Sequence, residues 1–301
     1  MLDVVSIGSS TLDIFIPVPF RNRLPVGSKL KIDAVTICGG GGAHNSAVTF
    51  KRNGLKVQLV TRVGDDVFGK KIQQIIHAQK IKASIRTDSS GSSGVSYILL
   101  DAKGDQTILT QRGVSGIFSK DEFSKMPESK WAYISTGAMP LHVLSALVKI
   151  LHDRGTRIAI NPSSEMLAHG LAKIRPILNR SRVVLLNRKE AASLTGVSIR
   201  RKRKIFKKLD ADVLGIAIMT DGERGAFVSD GKTILKSDAV RVRKVVDMTG
   251  AGDAFGSAFV AALIKKGENC EKGTCRPDHL QYALEKGTEH AAKTIQHIGA
   301  V

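Results

Sequence analysis

An α/β fold, with a doubly wound and mostly parallel sheet flanked by helices and a small β-sheet lid, follows from three features of the sequence. Short β-rich apolar runs alternate with segments of helical period through most of the 301 residues. That rhythm is what parallel strands joined by right-handed helical crossovers require. Two stretches, Ile14 to Ile37 and Val95 to Leu109, break it. Two glycine-rich turns, at Gly39 to Gly42 and at Gly250 to Gly252, each lead into a segment of helical period.

The strand candidates are Val4 to Ile7, Val57 to Val63, Trp131 to Ser135, Arg157 to Ile160, Val183 to Leu186 and Leu214 to Met219. Between them the helix candidates are His44 to Asn53, Val67 to Gln79, Leu141 to Arg154, Lys189 to Thr195 and Ala254 to Lys266. Ile14 to Ile37 contains three prolines, and Val95 to Leu109 alternates around the turn Asp101 to Asp105. Both read as antiparallel β structure. Paired with each other they would cover the carboxyl ends of the main strands, where open α/β sheets bind ligands. With no internal repeat or low-complexity linker, residues 1–301 are expected to form one domain, with lid segments around 14–37 and 95–112.

The charge is uneven: 46 basic against 27 acidic residues leave +19, which attracts phosphorylated ligands and nucleic acid alike. Its densest run, Arg200 to Lys204 with Lys207 and Lys208, has only Phe206 as an aromatic, so it reads first as a solvated helix face and second as an RNA-binding patch. No apolar run reaches the ~18 residues of a membrane span, and the N-terminus lacks signal-peptide features, so a cytoplasmic protein is expected. Three cysteines imply no disulfide framework. Cys38 reads as a buried thiol, while Cys270 and Cys275 read as surface thiols too few to hold a metal.

The chemistry concentrates in Asp247-Met248-Thr249-Gly250-Ala251-Gly252-Asp253. Gly250 and Gly252 allow a tight turn, and the free amides of the following helix, around Gly250, Ala251 and Gly252, form an anion hole for a transferring phosphoryl group. Asp253 stands beside it, placed to take the proton from an attacking hydroxyl. An ordinary strand–helix turn with a first-turn carboxylate is the competing reading. The second signal is Gly39 to Gly42 followed by Ala43-His44-Asn45. Its glycines let a substrate lie on the backbone, and Asn45 offers a donor and an acceptor to vicinal hydroxyls. His44 reads as a packing or capping residue before a catalytic one.

From Gly40, Gly41, Ala43, Asn45 and Ala47 through Gly54 and Gly64, and again from Asp247 to Val260, the chain resembles the phosphofructokinase B family of carbohydrate kinases, also called ribokinase-like. Met248 departs from the family pattern, which has a small residue, threonine or proline there. The resemblance implies that Asp13, Gly40, Gly41 and Asn45 bind substrate hydroxyls. It also implies that Asn187 and Glu190 organise Mg²⁺ near the phosphates, and that Thr220, Gly222 and Gly225, with Thr249, form the nucleotide-binding turn. Read from the residues alone, Asn187 and Glu190 are a helix cap and a surface acid, and Thr220 to Gly225 is a β-turn. The tail His290 to Ala300 is similar to the wall of the family's adenine pocket. Arg112, after the second lid segment, is expected to reach the substrate or its transferred phosphate.

An ATP-dependent transfer of the γ-phosphoryl group to a sugar hydroxyl is therefore the leading expectation, with Mg²⁺ and a monovalent cation such as K⁺ as cofactors. A nucleoside kinase with the same machinery is the alternative, for which Phe15 and Tyr97 would be the lid aromatics. A non-catalytic nucleic-acid-binding protein on the same fold is the third. The expected partners are ATP, a small hydroxylated substrate and a second copy through the lid, with no membrane and no nucleic acid.

Overall fold

The computed structural model describes residues 1–18, 26–101, 106–268 and 273–300. The chain begins with β1 (Leu2–Ile7) and β2 (Thr11–Pro17), then β3 (Thr36–Gly40), α1 (Gly42–Arg52), β4 (Val57–Gly64), α2 (Val67–Ala78) and β5 (Lys82–Asp88). A hairpin of β6 (Gly94–Leu100) and β7 (Gln106–Gln111) follows, then α3 (Lys120–Ser124), β8 (Ser129–Ser135), α4 (Leu141–Asp153) and β9 (Arg157–Asn161). Two short helices, α5 (Ser164–Leu167) and α6 (Leu171–Leu178), precede β10 (Val183–Asn187), α7 (Arg188–Thr195), α8 (Lys202–Asp212) and β11 (Ile216–Thr220). The chain closes with β12 (Ala226–Ser229), β13 (Ile234–Ser237), α9 (Ala251–Lys265) and α10 (Pro277–Thr294).

Nine strands form the main sheet in the order β13-β12-β11-β10-β9-β8-β1-β4-β5. It is parallel from β5 to β11, and at the other edge the β11–β12 and β12–β13 pairings are antiparallel. From β1 the chain crosses to β4 on one side, and from β8 it crosses to β9 on the other. The crevice between β1 and β8 is thus the topological switch point, where ligands of open α/β sheets bind.

Period-2 alternation along the strands divides the interior into two cores. Val4, Tyr133, Ile216 and Ile218 face one side with Phe50, Ile72, Phe259 and Leu280 of the helices. Val5, Ala132, Ile134, Ala217 and Met219 face the other with Leu144, Ile174 and Phe206. Strands buried on both faces need continuous apolar runs, which is why those runs were legible in the sequence. α9 is apolar nearly all round and is buried along Ala254 to Leu263 against α1, α10 and the sheet. This burial holds the first turn of α9, with Asp253, at a fixed height over the sheet.

The four-stranded lid has the order β3-β2-β6-β7. Each lid segment is antiparallel within itself as expected, β2 with β3 and β6 with β7, while the central pair that joins the two segments, β2 and β6, is parallel. The reason is topological: β2 leaves the carboxyl end of β1 and β6 follows β5, so both leave the parallel sheet in the same direction. The expected turn at Asp101 to Asp105 falls largely outside the described residues, as do part of the proline-containing segment and Cys270. Cys275 is buried at 5% exposure rather than a surface thiol, because it packs beside Leu280 in the first core. Cys38 is half-buried in β3. The strand expected from Leu214 begins at Ile216, since Val213 caps α8 and Leu214 is exposed. β5, the β12–β13 hairpin and α8 lie outside the elements expected from periodicity.

Truncating the α9 anchor tests this account. Phe259 is fully buried and stacks on Phe255. Phe259→Ala is expected to lower unfolding free energy by about 3–5 kcal/mol, read as a shift in the urea midpoint.

Candidate active site

The carboxyl ends of β1, β8 and β9 converge with the N-termini of α1 and α9. Asp253, in the first turn of α9, is the centre of this cluster. Its Oδ2 accepts a hydrogen bond from Asn45 Nδ2 at 3.0 Å, and its Oδ1 accepts one from Asn161 Nδ2 at 3.1 Å. Burial raises the Asp253 pKa, opposed by these two amide hydrogen bonds. Two donors on two oxygens hold the carboxylate in one orientation while burial makes it a stronger base than an exposed aspartate.

Gly250 caps α9 with φ 73°, a left-handed conformation that favours glycine. A Cβ there would also lie 2.2 Å from the Cβ of Ala300, which is buried. The turn is braced from behind: Asp247 Oδ1 accepts from the Thr249 amide at 2.8 Å and Asp247 Oδ2 from the Gly299 amide at 3.0 Å. A Cβ on Gly252 would meet nothing within 4 Å, so space lies open in front of the α9 N-terminus. The Ala251 amide donates to the Met248 carbonyl at 3.3 Å, and the positive end of the α9 dipole faces that space, which suits an anionic phosphoryl group.

Opposite stands Asp13 of β2, 4% exposed, whose Oδ1 accepts from Thr11 Oγ1 at 3.0 Å. Gly40 runs so close that a Cβ there would sit 2.0 Å from Asp13 Oδ2. Asp13 is pushed up to about 6, first by burial and further by the Asp247 and Asp253 charges, against hydrogen bonds from Thr11 and Ser96. Asn45 keeps a buried Oδ1 with no partner among the described residues, an acceptor available to a substrate hydroxyl. Gly41, the N-cap of α1, lies against the Ser9 backbone, whose carbonyl accepts from the Ala43 and His44 amides. His44 is buried and donates Nε2–H to Gln79 Oε1 at 2.7 Å. It ties the start of α1 to the C-cap of α2.

A second group lies further along the same sheet edge. Asn187 and Thr220 end β10 and β11 and are register partners. Asn187 and Glu190 form a capping box on α7: Asn187 Oδ1 accepts from the Glu190 amide at 2.9 Å, and Glu190 Oε2 from the Asn187 amide at 2.8 Å. Burial raises the Glu190 pKa against those hydrogen bonds. Gly222 and Gly225 bracket a single 3₁₀ turn after β11. Asp221 holds it by accepting from Arg188 at 2.6 Å and from Arg224 at 3.0 Å. Burial alone would raise the Asp221 carboxyl, but these two arginines keep it below the ordinary value.

Asp253, Gly250, Ala251, Gly252, Asp13, Gly40, Gly41 and Asn45 are therefore brought together, and Asn187, Glu190, Thr220, Gly222 and Gly225 form a neighbouring group. Thr249 lies on the α9 turn and donates to Gln106 Oε1 of the lid at 3.1 Å. Arg112 stands apart, half-exposed and paired with Glu165 on α5 at 2.9 Å. Sequence reasoning missed Asn161 and Ser135. A Cβ at Gly42 would lie 2.0 Å from Ser135 Oγ and 3.3 Å from Asp253 Oδ1. The available signal for Asn161 was its place as the last residue of an apolar strand, immediately before a proline.

An open α/β sheet with an acid beside a helix N-terminus, a polar pocket under a β lid and a second helix-and-turn group along the sheet edge defines a phosphotransferase acting on an alcohol. Residues 1–301 match the model described as pfkB family carbohydrate kinase, and the chain belongs to that family. It is 26% identical over 320 aligned residues to a ribokinase of Schizosaccharomyces pombe, covering 100% of this chain and 94% of the relative. Among solved structures, Arabidopsis thaliana ribokinase complexed with ribose and ATP superposes with a TM-score of 0.80 at 19% identity, covering 99% of this chain and 94% of that one. Adenosine kinase from Sinorhizobium meliloti superposes equally, with TM-score 0.80, 20% identity, and 99% and 95% coverage.

The raised Asp13 pKa has a measurable consequence for stability. Its native value of about 6 exceeds the ordinary 3.8, so the native chain holds this proton more tightly than the unfolded chain. The stability from the protonated form is present below about pH 4 and is lost as pH rises through about 6. Asp13→Asn, permanently neutral, should match the wild type near pH 4 and exceed it above pH 6 by on the order of 3 kcal/mol in urea titrations.

Proposed function

We infer that this protein transfers the γ-phosphoryl group of ATP to a hydroxyl of a sugar, with Asp253 as the general base. The observation that carries this reading is the Asp253 carboxylate held between Asn45 and Asn161 beside the open N-terminus of α9. Asp13 and the Asn45 Oδ1 accept hydrogen bonds from acceptor hydroxyls, and Gly40 lets the sugar approach the backbone. Asp253 takes the proton of the attacking hydroxyl, whose oxygen bonds to the γ-phosphorus as the bond to the β,γ-bridging oxygen breaks. ADP leaves with the electron pair. The amides of Gly250 to Gly252 receive the charge developing on the equatorial oxygens, so catalysis is positioning and electrostatic stabilisation.

Kinases of this family generally use Mg²⁺ with ATP. Among the described residues no group of three or more His, Cys, Asp or Glu could form a protein cage. That suits Mg²⁺, which keeps several waters and is held by one or two carboxylates with the phosphates. Glu190 fits such a role, because the capping box engages only its Oε2. When bound, the ion neutralises phosphate charge. Thr220, Gly222 and Gly225 are assigned to the nucleotide and the Asn187 cap to placing Glu190. Arg112 is assigned to the substrate or its transferred phosphate, for which it would exchange Glu165.

The sugar reading is favoured over a nucleoside by the fate of the lid aromatics. Phe15 is 1% exposed and so is not free to stack on a base, and Tyr97 has part of its ring packed with Ile14 against the first core. The lid also carries exposed Ile37, Ile108 and Leu109 on its two edge strands, which supports pairing with a second copy.

Asp253→Asn is expected to leave ATP binding within about twofold while lowering turnover by roughly 10² to 10⁴. Retained turnover would remove Asp253 as the base. Substrate-dependent ADP release across ribose, deoxyribose, fructose and nucleosides measures the acceptor class, and preference for a nucleoside would overturn the sugar assignment.

A further inference from the structure

We propose that the exposed face of α8 and the turn before it is a docking surface for the phosphate backbone of duplex nucleic acid. Residues 170–213 contain 13 Lys and Arg against 3 Asp and Glu, so this stretch alone supplies +10 of the net +19. Ile205, Phe206 and Leu209 bury one side of α8, which leaves Arg200, Arg201, Arg203, Lys204 and Lys207 exposed together. The carboxylates nearby are engaged elsewhere: Asp212 with Arg175, Asp221 with Arg188 and Arg224, and Asp210 with Ser229.

A helix face that is merely solvated intersperses charges of both signs, because like charges at i,i+3 and i,i+4 repel. Within α8, Arg203 with Lys207 and Lys204 with Lys208 at i,i+4, and Lys204 with Lys207 at i,i+3, are such pairs. The run also stands at the N-terminus of α8, with no acid in the first turn and no side-chain cap, where the helix dipole favours anions over cations. Both features weaken the isolated helix and are relieved by an external row of negative charge. From Arg200 to Lys207 the cations extend about 10 Å, several backbone charges of a nucleic acid and more than one small phosphate fills.

The face distinguishes duplex from single strand. Single-strand surfaces stack bases on aromatic side chains. Phe206 is buried, and the Phe227 ring is covered by Lys202 Nζ at 4.1 Å. No aromatic among the described residues of this face is open to a base, so recognition is of phosphates, with little sequence preference. The surface starts at the rim of the nucleotide turn, where Arg188 Nε donates to the Ile199 carbonyl at 2.9 Å, yet it uses none of the residues assigned to ATP.

Fluorescence anisotropy of the full chain with a labelled mixed-sequence duplex tests the proposal. Binding is expected at roughly 10⁻⁴ to 10⁻⁶ M, with log Kd against log salt near a slope of 4 in magnitude. Replacing Arg200, Arg203, Lys204 and Lys207 with Gln should flatten that slope by about 3 to 4, close to one per cation removed. The double variant Arg203→Gln/Lys207→Gln, expected to flatten it by about 2, serves if the fourfold one is unstable. A matched control, Lys70, Lys71, Lys80 and Lys82 to Gln, removes the same charge from the exposed surface of α2 and β5. The proposal is overturned by an equal loss in the control, by tighter binding of the single strand than of the duplex, or by capture on phosphatidylserine vesicles with no duplex binding.

Discussion

Two amide hydrogen bonds to one carboxylate hold the catalytic end of this molecule together. Asn45 and Asn161 reach Asp253 across 208 and 92 residues of sequence, and they tie the N-terminus of α1 and the end of β9 to the first turn of α9. Each bond constrains one oxygen, so the carboxylate cannot turn without losing a partner. The buried packing of α9 supplies the height, and the amides supply the orientation. The proposed base, anion hole and acceptor pocket are thereby brought into register by elements from the beginning, middle and end of the chain.

Electrostatics in the pocket opposes that of the whole protein. Asp13, Asp247 and Asp253 gather under the lid of a chain whose net charge is +19. Asp247 is stabilised by two backbone amides and Asp253 by two side-chain amides, while Asp13 has a threonine and a serine. Burial raises the carboxyls of both Asp13 and Asp253, that of Asp13 to about 6. A polar acceptor able to donate several hydroxyl hydrogens would relieve this strain, so the same charge that lowers stability of the free protein favours substrate binding. Meanwhile residues 170–213, which include α8, supply +10 of that net charge.

Much of the main sheet was legible because strands buried on both sides must be apolar throughout, and those runs stand out between helices. The lid segments were visible as breaks in the rhythm, but the parallel pairing of β2 with β6 was not. It depends on which strands of the main sheet they leave. β5 and β13 lie at the sheet edges, where half-exposed strands need no continuous apolar run, and β12 is only four residues long, so their patterns were weak. Asp253 and the glycines of both turns were recognisable because turns and close approaches demand small residues at set positions. Asn161 was not, since an asparagine at a strand end looks the same whether it caps a loop or holds a carboxylate.

Local chemistry in the sequence determined the alternation of strand and helix, the two glycine turns and the identity of the acid beside the second one. These are properties of neighbouring residues, and their physics acts over a few positions. Tertiary structure alone decided that Asn45 and Asn161 grip opposite oxygens of Asp253, that Asp13 is raised by burial beside two other acids, and that Arg112 meets Glu165. It also decided that Arg200, Arg201, Arg203, Lys204 and Lys207 stand exposed together at the start of α8 while nearby carboxylates are taken. Hydrogen-bond partnership, burial and charge proximity are relations between surfaces brought together by folding, and no segment of sequence carries them by itself.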